Sequence, residues 1–219
     1  SHLDAHNVEF IDKSPDTVLI AVQGPDTIEL IQDRFEIPDK FSTNYTESFL
    51  YARTGYTGED GVEIMANNQD AESLLTFLIE KGIKPCGLGS RDTLRLEASL
   101  PLYGFELTED ITPVEASLNW TITNKNEYLG SNRINDQLSG ESHKVLKKFI
   151  INSRKIARTE TVGIAGETKG LVTSGNFSPV LNKSIGFILF ENMPSHDLIE
   201  FDIRGNLIEG NIVNKRFLS

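Results

Sequence analysis

The stretch RTGYTGEDGVEI, residues 53–64, organises the first part of the chain. Three glycines recur in it at a spacing of three residues, at Gly55, Gly58 and Gly61. The run SFLYART (Ser48–Thr54), which overlaps the start of this stretch, and the run GVEIMA (Gly61–Ala66) both show strand-like alternation. Such alternation predicts two β-strands, and the glycine-rich segment predicts the turn that joins them. Because side chains alternate along a strand, Glu63 should point away from the face that Val62 and Ile64 bury.

The neighbouring segments alternate between strand and helix signals. DTVLIAVQGP (residues 16–25) predicts a buried strand, and DTIELIQDRF (26–35) predicts a helix. A second helix is predicted from Asn68 to Gly82 with Asp70 as its cap, and a third from Gly89 to Leu100 with Ser90 as its cap. Helices mixed with hairpin-like strands favour an α+β domain over residues 1–123.

The sequence changes character after residue 123. Residues 124–142 are rich in Asn, Ser and Gly around one short helix candidate, so we predict a linker there. Six short β-branched-rich runs follow, separated by Gly, Asn, Pro and Ser: KVLKKFIIN, ETVGIAG, KGLVTSGNF, SIGFILF, LIEFDIR and LIEGNIV. This pattern is typical of a small all-β barrel or sandwich, which we assign to residues 143–219.

Composition excludes several classes of partner. The 219 residues carry a net charge of −11, which argues against binding nucleic acid or an anionic membrane surface. No apolar run approaches the ~20 residues that span a bilayer. The single cysteine, Cys86, fits a reducing compartment. The four histidines do not form a ligand pattern, so we predict no metal.

Glu63 is the first candidate binding residue. The simplest interpretation is a half-exposed strand whose glutamate faces water. The functional interpretation is a carboxylate in a cleft, whose two oxygens accept hydrogen bonds from two adjacent N–H donors of a ligand. A pterin presents such an edge, and Tyr56 could add a hydroxyl group or a stacking face.

The predicted third helix supplies a second group of candidates. Arg91 and Arg95 are four residues apart and share a helix face. They either form a solvated charged face or place a guanidinium against a ligand. Tyr103 follows on a turn just after the helix, where binding groups are common.

These stretches together resemble one family. RTGYTGEDGVEI, GLGSRDTLRLEASLPLYGFEL and TPVEASLNWTI, with GLVTSGNFSPVL further on, are similar to the aminomethyltransferases, the T-proteins of the glycine cleavage system. The resemblance runs from about Thr17 to Phe217. It implies a ferredoxin-like folate-binding unit followed by a Greek-key-like barrel. By motif, Glu63 corresponds to the glutamate that holds the pterin, while Tyr56, Tyr103 and Arg91 correspond to residues lining the folate site.

The resemblance also implies an activity. Members transfer a methylene group from an aminomethyl group, carried on the dihydrolipoyl arm of the H-protein, to tetrahydrofolate with release of ammonia. No metal takes part, and the compartment is the bacterial cytoplasm or the mitochondrial matrix. Members are longer, and the Gly-Asp-Asp segment that carries their catalytic aspartate is not found here. We therefore assign no catalytic residue and expect this stretch to be inactive alone.

Two alternatives remain open. The chain could belong to a folate-binding relative of the same fold: a demethylase, a sarcosine-dehydrogenase-like domain or an iron–sulfur assembly factor. It could also be a folate-binding fragment without catalysis. For docking of the H-protein, Lys144, Lys147 and Lys148 are one candidate basic patch, although a solvated strand face explains them equally well.

Overall fold

The computed structural model describes residues 7–123 and 128–218. The chain divides into two compact units, Ser1–Gly87 and Leu88–Ser219. The linker that we predict at residues 124–142 falls inside the second unit. The interpretation of this segment as a linker between two domains stays a prediction. The division into units follows the packing, in which Leu96, before the segment, lies in one cluster with Leu146 and Ile185 after it.

The first unit is a four-stranded antiparallel sheet with two helices. Its elements are β1 (Thr17–Gln23), α1 (Thr27–Ile31), β2 (Thr43–Tyr45), β3 (Phe49–Ala52), β4 (Gly61–Asn67) and α2 (Asn68–Glu80). The strands lie in the order β1-β4-β3-β2. Apart from the short β2, which the sequence pattern did not reveal, the order β-α-β-β-α reproduces the first five elements of a ferredoxin-like unit.

One face of this sheet forms the core of the first unit. Val62 and Ile64 are fully buried there, together with Leu74 of α2. The helix α2 begins three residues earlier than the predicted cap suggested. Asn67, not Asp70, is its N-cap, and the Asn67 side chain accepts a hydrogen bond from the Asp70 backbone N–H. Asn67 adopts the extended conformation that a cap requires, whereas Asp70 lies within the first helical turn.

The second unit is a closed six-stranded barrel preceded by two helices. Its elements are α3 (Leu88–Glu97), α4 (Ser131–Leu138), β5 (Val145–Ile151), β6 (Val162–Ala165), β7 (Thr168–Ser178), β8 (Lys183–Phe190), β9 (Leu198–Ile203) and β10 (Asn206–Val213). The barrel order is β10-β5-β8-β7-β6-β9. Strands β5 to β8 form a Greek key, because β5 lies beside β8 at the end of two consecutive hairpins. The predicted barrel and α+β class are confirmed.

Two hydrophobic clusters stabilise the second unit. One surrounds Phe149 and Phe201, whose ring centroids are 4.6 Å apart. The other joins Leu96 of α3 to Phe187 and Phe217.

Helix α3 begins at Leu88 rather than at the predicted cap Ser90, which lies inside it. Within the described residues, no helix has the length and apolar character needed to cross a membrane.

Candidate functional site

Glu63 lies on β4, an inner strand of the sheet of the first unit, on the face opposite the core. It pairs with Ala21 of β1 and with Ala52 of β3. Since both cross-strand neighbours are alanines, space remains on either side of the carboxylate. Among the described residues, the Glu63 side chain forms no hydrogen bond or ion pair. Glu63 is half-buried, and its carboxylate oxygens can accept hydrogen bonds from a ligand.

An apolar row flanks Glu63 on the same face. Met65 is the next residue of β4 on this face, and it pairs with Leu19 and Leu50. These side chains are 41 %, 60 % and 46 % exposed, respectively. A flat ligand could therefore contact apolar side chains while its polar edge reaches the carboxylate, the combination typical of small-molecule sites.

Gln23 holds the glycine-rich turn at the other end of this face. Its Nε2 lies 3.1–3.2 Å from the carbonyl oxygens of Val22, Thr54 and Val62. A Cβ atom on Gly55 would lie 1.7 Å from Gln23 Oε1, so only glycine permits this contact. A Cβ atom on Gly61 would lie 2.2 Å from the carbonyl oxygen of Val22. The packing of the turn itself therefore requires glycine at these two positions.

An ion pair closes the same turn. Arg53 Nη2 lies 2.8 Å from Asp60 Oδ2, and Arg53 Nε lies 3.2 Å from Asp60 Oδ1. The hydrogen bond from Arg53 lowers the pKa of Asp60 from 3.8 to about 2, and the backbone N–H of Gly61 and the charge of Lys40 act in the same direction. The turn that carries Tyr56, which is half-buried, is therefore fastened at both ends to the strands beside Glu63.

Arg91 and Tyr103 belong to the second unit. Arg91 lies on α3 and is half-buried, and Tyr103 is 71 % exposed on the turn that follows the helix. Tyr103 forms an isolated bridge with Leu107, and the Gly104 N–H donates to the Leu107 carbonyl at 2.7 Å. The four predicted residues are thus divided between the units: Tyr56 and Glu63 belong to the first, and Arg91 and Tyr103 belong to the second.

A buried ion pair supports the elements that carry Arg91 and Tyr103. Arg95, one turn after Arg91, is 2 % exposed, and Glu106 is fully buried. Arg95 Nη1 lies 3.1 Å from Glu106 Oε2, and Arg95 Nη2 donates to Ser174 Oγ at 2.8 Å. Glu106 also accepts hydrogen bonds from the Leu102 backbone N–H and from the Thr173 hydroxyl. The pair therefore joins α3, the Tyr103 turn and strand β7.

Arg95 differs from both interpretations that the sequence offered. Its face of the helix is not solvated, and the guanidinium is occupied by protein groups rather than left for a ligand. Glu97 is buried as well, and Ser178 donates a hydrogen bond to it. Sequence reasoning also missed Gln23, although a glutamine at the end of an apolar strand before Gly-Pro was a usable signal. No comparable signal marked Glu106, whose side-chain partners Arg95 and Thr173 lie 11 and 67 residues away.

The described residues hold no group of His, Cys, Asp and Glu arranged for a metal ion. The fold and geometry define a mixed α/β protein with a β-barrel and a half-exposed carboxylate on an inner strand of its sheet. Comparison with known proteins specifies the family. The family model described as the GCVT N-terminal domain matches residues 1–126, and the chain belongs to that family.

Curated relatives are similar over nearly the whole chain. The aminomethyltransferase of Picosynechococcus sp. is 36 % identical over 230 residues, which cover 99 % of this chain and 63 % of the relative. The aminomethyltransferase of Synechococcus elongatus is 38 % identical over 226 residues, which cover 96 % and 60 %. The chain thus spans about three fifths of the length of these relatives.

A solved structure agrees with this result. The crystal structure of glycine cleavage system aminomethyltransferase T from Bartonella henselae matches with a TM-score of 0.83 and 27 % identity. The match covers 92 % of this chain and 60 % of that one. The resemblance to aminomethyltransferases, stated above from sequence motifs, is confirmed.

Proposed function

We propose that the protein containing this chain is a glycine-cleavage aminomethyltransferase. It takes the methylene group from an aminomethyl group on the dihydrolipoyl arm of an H-protein, passes it to tetrahydrofolate and releases ammonia. Family membership and the aminomethyltransferase relatives support this reaction. Because those relatives are bacterial, we propose the cytoplasm as its compartment.

The single observation that carries the proposal is the setting of Glu63. Its carboxylate lies between Ala21 and Ala52 without a described protein partner. Two parallel N–H donors on a pterin edge satisfy both carboxylate oxygens, and a charge-assisted hydrogen bond contributes about 1.5–3 kcal/mol. The exposed row of Leu19, Leu50 and Met65 suits an apolar ring beside that edge. An accepting carboxylate beside apolar side chains fits the pterin of tetrahydrofolate.

The other three residues have supporting roles in the proposal. Folate-binding roles for Tyr56, Arg91 and Tyr103 rest on the family's motifs alone. Tetrahydrofolate supplies the nucleophilic nitrogens that accept the methylene. The protein's contribution is to orient the folate and to exclude water, so positioning and electrostatics dominate its effect on rate. We assign a catalytic role to none of the four residues.

The test is the substitution Glu63→Gln in the full-length protein. It places an N–H donor against a ligand donor, and the dissociation constant for 5-formyltetrahydrofolate should rise about tenfold or more, equivalent to roughly 1.4 kcal/mol. Glu59→Gln is the matched control, since Glu59 is an exposed glutamate of the glycine-rich turn just before β4. Calorimetric titration that finds equal affinities for Glu63→Gln and Glu59→Gln would refute the role of Glu63.

A kinetic comparison separates the proposed reaction from its alternatives. An aminomethyltransferase should turn over aminomethylated H-protein and should be inactive with sarcosine or dimethylglycine as the one-carbon donor. Activity with those donors alone would favour a demethylase or a sarcosine-dehydrogenase-like relative. Folate binding without turnover of any donor would favour a binding protein.

A further inference from the structure

One cavity of the second unit is lined by hydrogen-bond donors without a carboxylate. It has a volume of about 320 Å³ and lies between β5, β10 and the segments that follow α3. Its polar side chains are those of Ser99, Ser117, Lys147, Lys148 and Asn214. In the part of the chain that the structure describes, neither Asp nor Glu lines it. Because the whole chain carries a net charge of −11, a cationic cavity is not a consequence of composition.

The Lys148 ammonium group has no counter-ion in this cavity. Lys148 lies on β5 between Phe187 of β8 and Val213 of β10, and it is half-buried. Among the described residues it has neither an ion-pair partner nor a hydrogen-bond partner. Burial, followed by the charges of Lys147 and Arg216, lowers the pKa of Lys148. A partly desolvated cation beside two like charges is unfavourable until an anion neutralises it.

Two neutral donors complete the set. The Ser99 hydroxyl oxygen accepts a hydrogen bond from the Phe217 N–H at 3.1 Å. The hydroxyl proton of Ser99 donates to no described residue, so it can serve a further acceptor. The Asn214 side chain likewise makes no hydrogen bond within the described residues. Ser117, in contrast, is used internally, because its hydroxyl group donates to the Leu146 carbonyl at 2.9 Å.

The backbone beside this cavity is held in two unusual conformations. Ser99 has a φ of 61° and Ser117 a φ of 59°, in the left-handed region that residues other than glycine seldom adopt. Their N–H groups donate to the carbonyls of Leu96 and Val114, which fixes both turns. Strained residues of this kind persist where the surrounding structure holds them, and they are frequent at ligand sites.

The donors of this cavity match an oxyanion. Ammonium, hydroxyl and amide N–H groups all donate to negatively charged oxygens, and the volume falls within the range of about 300–1,000 Å³ that is typical of small-molecule sites. We propose that Lys147, Lys148, Ser99 and Asn214 bind a small oxyanion with more than one negative charge, of the phosphate or dicarboxylate class. The charge of Arg216 adds to the attraction. The site does not depend on the proposed function, since none of the four candidate folate residues lines it.

The site also divides the basic patch that the sequence suggested for the carrier protein. Lys147 and Lys148 line this cavity, whereas Lys144 lines another one together with Glu160 and Glu191. The docking of the carrier at these lysines stays a prediction.

The experiment is calorimetric titration of the full-length protein with phosphate and with malonate, each at the same ionic strength. Lys148→Met keeps most of the apolar stem but removes the ammonium group, and the dissociation constant of the tighter anion should rise about tenfold or more, equivalent to roughly 1.4 kcal/mol. Lys183→Met is the matched control, because Lys183 is a half-buried lysine of β8 outside this cavity. It should leave the affinity unchanged. Tighter binding of phosphate would support the phosphate class, and tighter binding of malonate the dicarboxylate class. If neither anion binds the unaltered protein, or if Lys148→Met and Lys183→Met bind both anions equally well, the site is overturned.

An NMR titration of the unaltered protein tests the site even if Lys148→Met fails to fold. With isotope-labelled lysines, the tighter anion should raise the pKa of Lys148, because the bound negative charge stabilises the ammonium form. The signal of Lys183 should not move. A pKa of Lys148 that stays the same at high anion concentration would overturn the proposal.

Discussion

Replacing Arg95 by methionine should destabilise the second unit strongly, although neither Arg95 nor Glu106 has been placed at the ligand. Arg95 is 2 % exposed and Glu106 is fully buried. Methionine keeps much of the aliphatic volume but removes the contacts of the guanidinium with Glu106, Ser174 and the Leu100 carbonyl. Breaking a buried pair by removing one partner costs about 3–5 kcal/mol, because the remaining charge is buried and uncompensated.

Glu106 retains two other donors, which limits the loss. The Leu102 N–H lies 2.9 Å from Glu106 Oε2, and the Thr173 hydroxyl donates to Oε1. We therefore expect about 3 kcal/mol for Arg95→Met, the lower end of that range. Since a domain is stable by only about 5–15 kcal/mol, this is a large fraction of the total. A companion variant, Glu106→Gln, should lose less, because the amide oxygen can still accept one of these hydrogen bonds.

The assay is urea unfolding combined with hydrogen exchange at pH 7. Exchange resolved by peptide reports the opening free energy of β7 and β8 separately from that of the first unit. Lys169→Met is the matched control, because Lys169 is an exposed cation of β7, the strand that carries Ser174. The control should change stability by no more than about 0.5 kcal/mol.

The double variant distinguishes pairing from general damage. Arg95→Met with Glu106→Leu removes both charges but leaves the Leu102 N–H without its acceptor, a loss of about 1–3 kcal/mol. Each single variant leaves one buried charge without its partner, whereas the double variant leaves none. The double variant should therefore lose less stability than Arg95→Met and Glu106→Leu lose together. A cost below about 1 kcal/mol for Arg95→Met, or strictly additive costs in the double variant, would refute the reasoning.

Two further predictions concern the first unit. Gly55→Ala should lower the free energy of unfolding by about 1–2 kcal/mol, since its Cβ would lie 1.7 Å from Gln23 Oε1. In a protein that already carries Gln23→Ala, Gly55→Ala should cost less, and urea unfolding of both single variants and the double variant tests this. For Asp60, the pKa lowered to about 2 lies below the unperturbed value of 3.8 that applies in the unfolded chain. The ion pair therefore stabilises the folded unit fully above pH ~4, and this contribution is lost as the pH falls through ~2. Asp60→Asn should remove that component of the acid transition, and an unchanged profile in thermal melts from pH 2 to 6 would contradict it.

Local patterning predicted most of the strands because each is short, alternates and is bounded by turn residues. The six runs after residue 143 became the six strands of the barrel within a few residues at each end. The helix caps were predicted less well. Asp70 and Asn67 both have cap-like side chains, and only the extended backbone of Asn67 decides between them. β2 was missed because three residues, Thr43–Tyr45, carry too little pattern to detect.

Charged residues were harder to interpret than apolar ones. A charged side chain on a helix indicates a solvated face unless its partner is known, and the partner is often remote. Ser174, which accepts from Arg95, is 79 residues away in sequence. Ser178, which donates to Glu97, is 81 residues away. Neither contact has a local signature, so the burial of Arg95 and Glu97 depended on tertiary packing that periodicity does not encode.

Glu63 shows the same difference between what the local pattern determines and what the tertiary structure determines. Alternation along β4 was sufficient to place its carboxylate on the face opposite Val62 and Ile64. Its chemical setting depends on the pairing register instead: a shift of one residue in β1 would place Val22 or Ile20 opposite Glu63 in place of Ala21. The register is held by Gln23 and by the Arg53–Asp60 pair at the turn. The capacity of Glu63 to accept a ligand's donor edge is therefore a property of the fastened sheet, and variants that loosen the turn should weaken folate binding even though they leave the carboxylate itself in place.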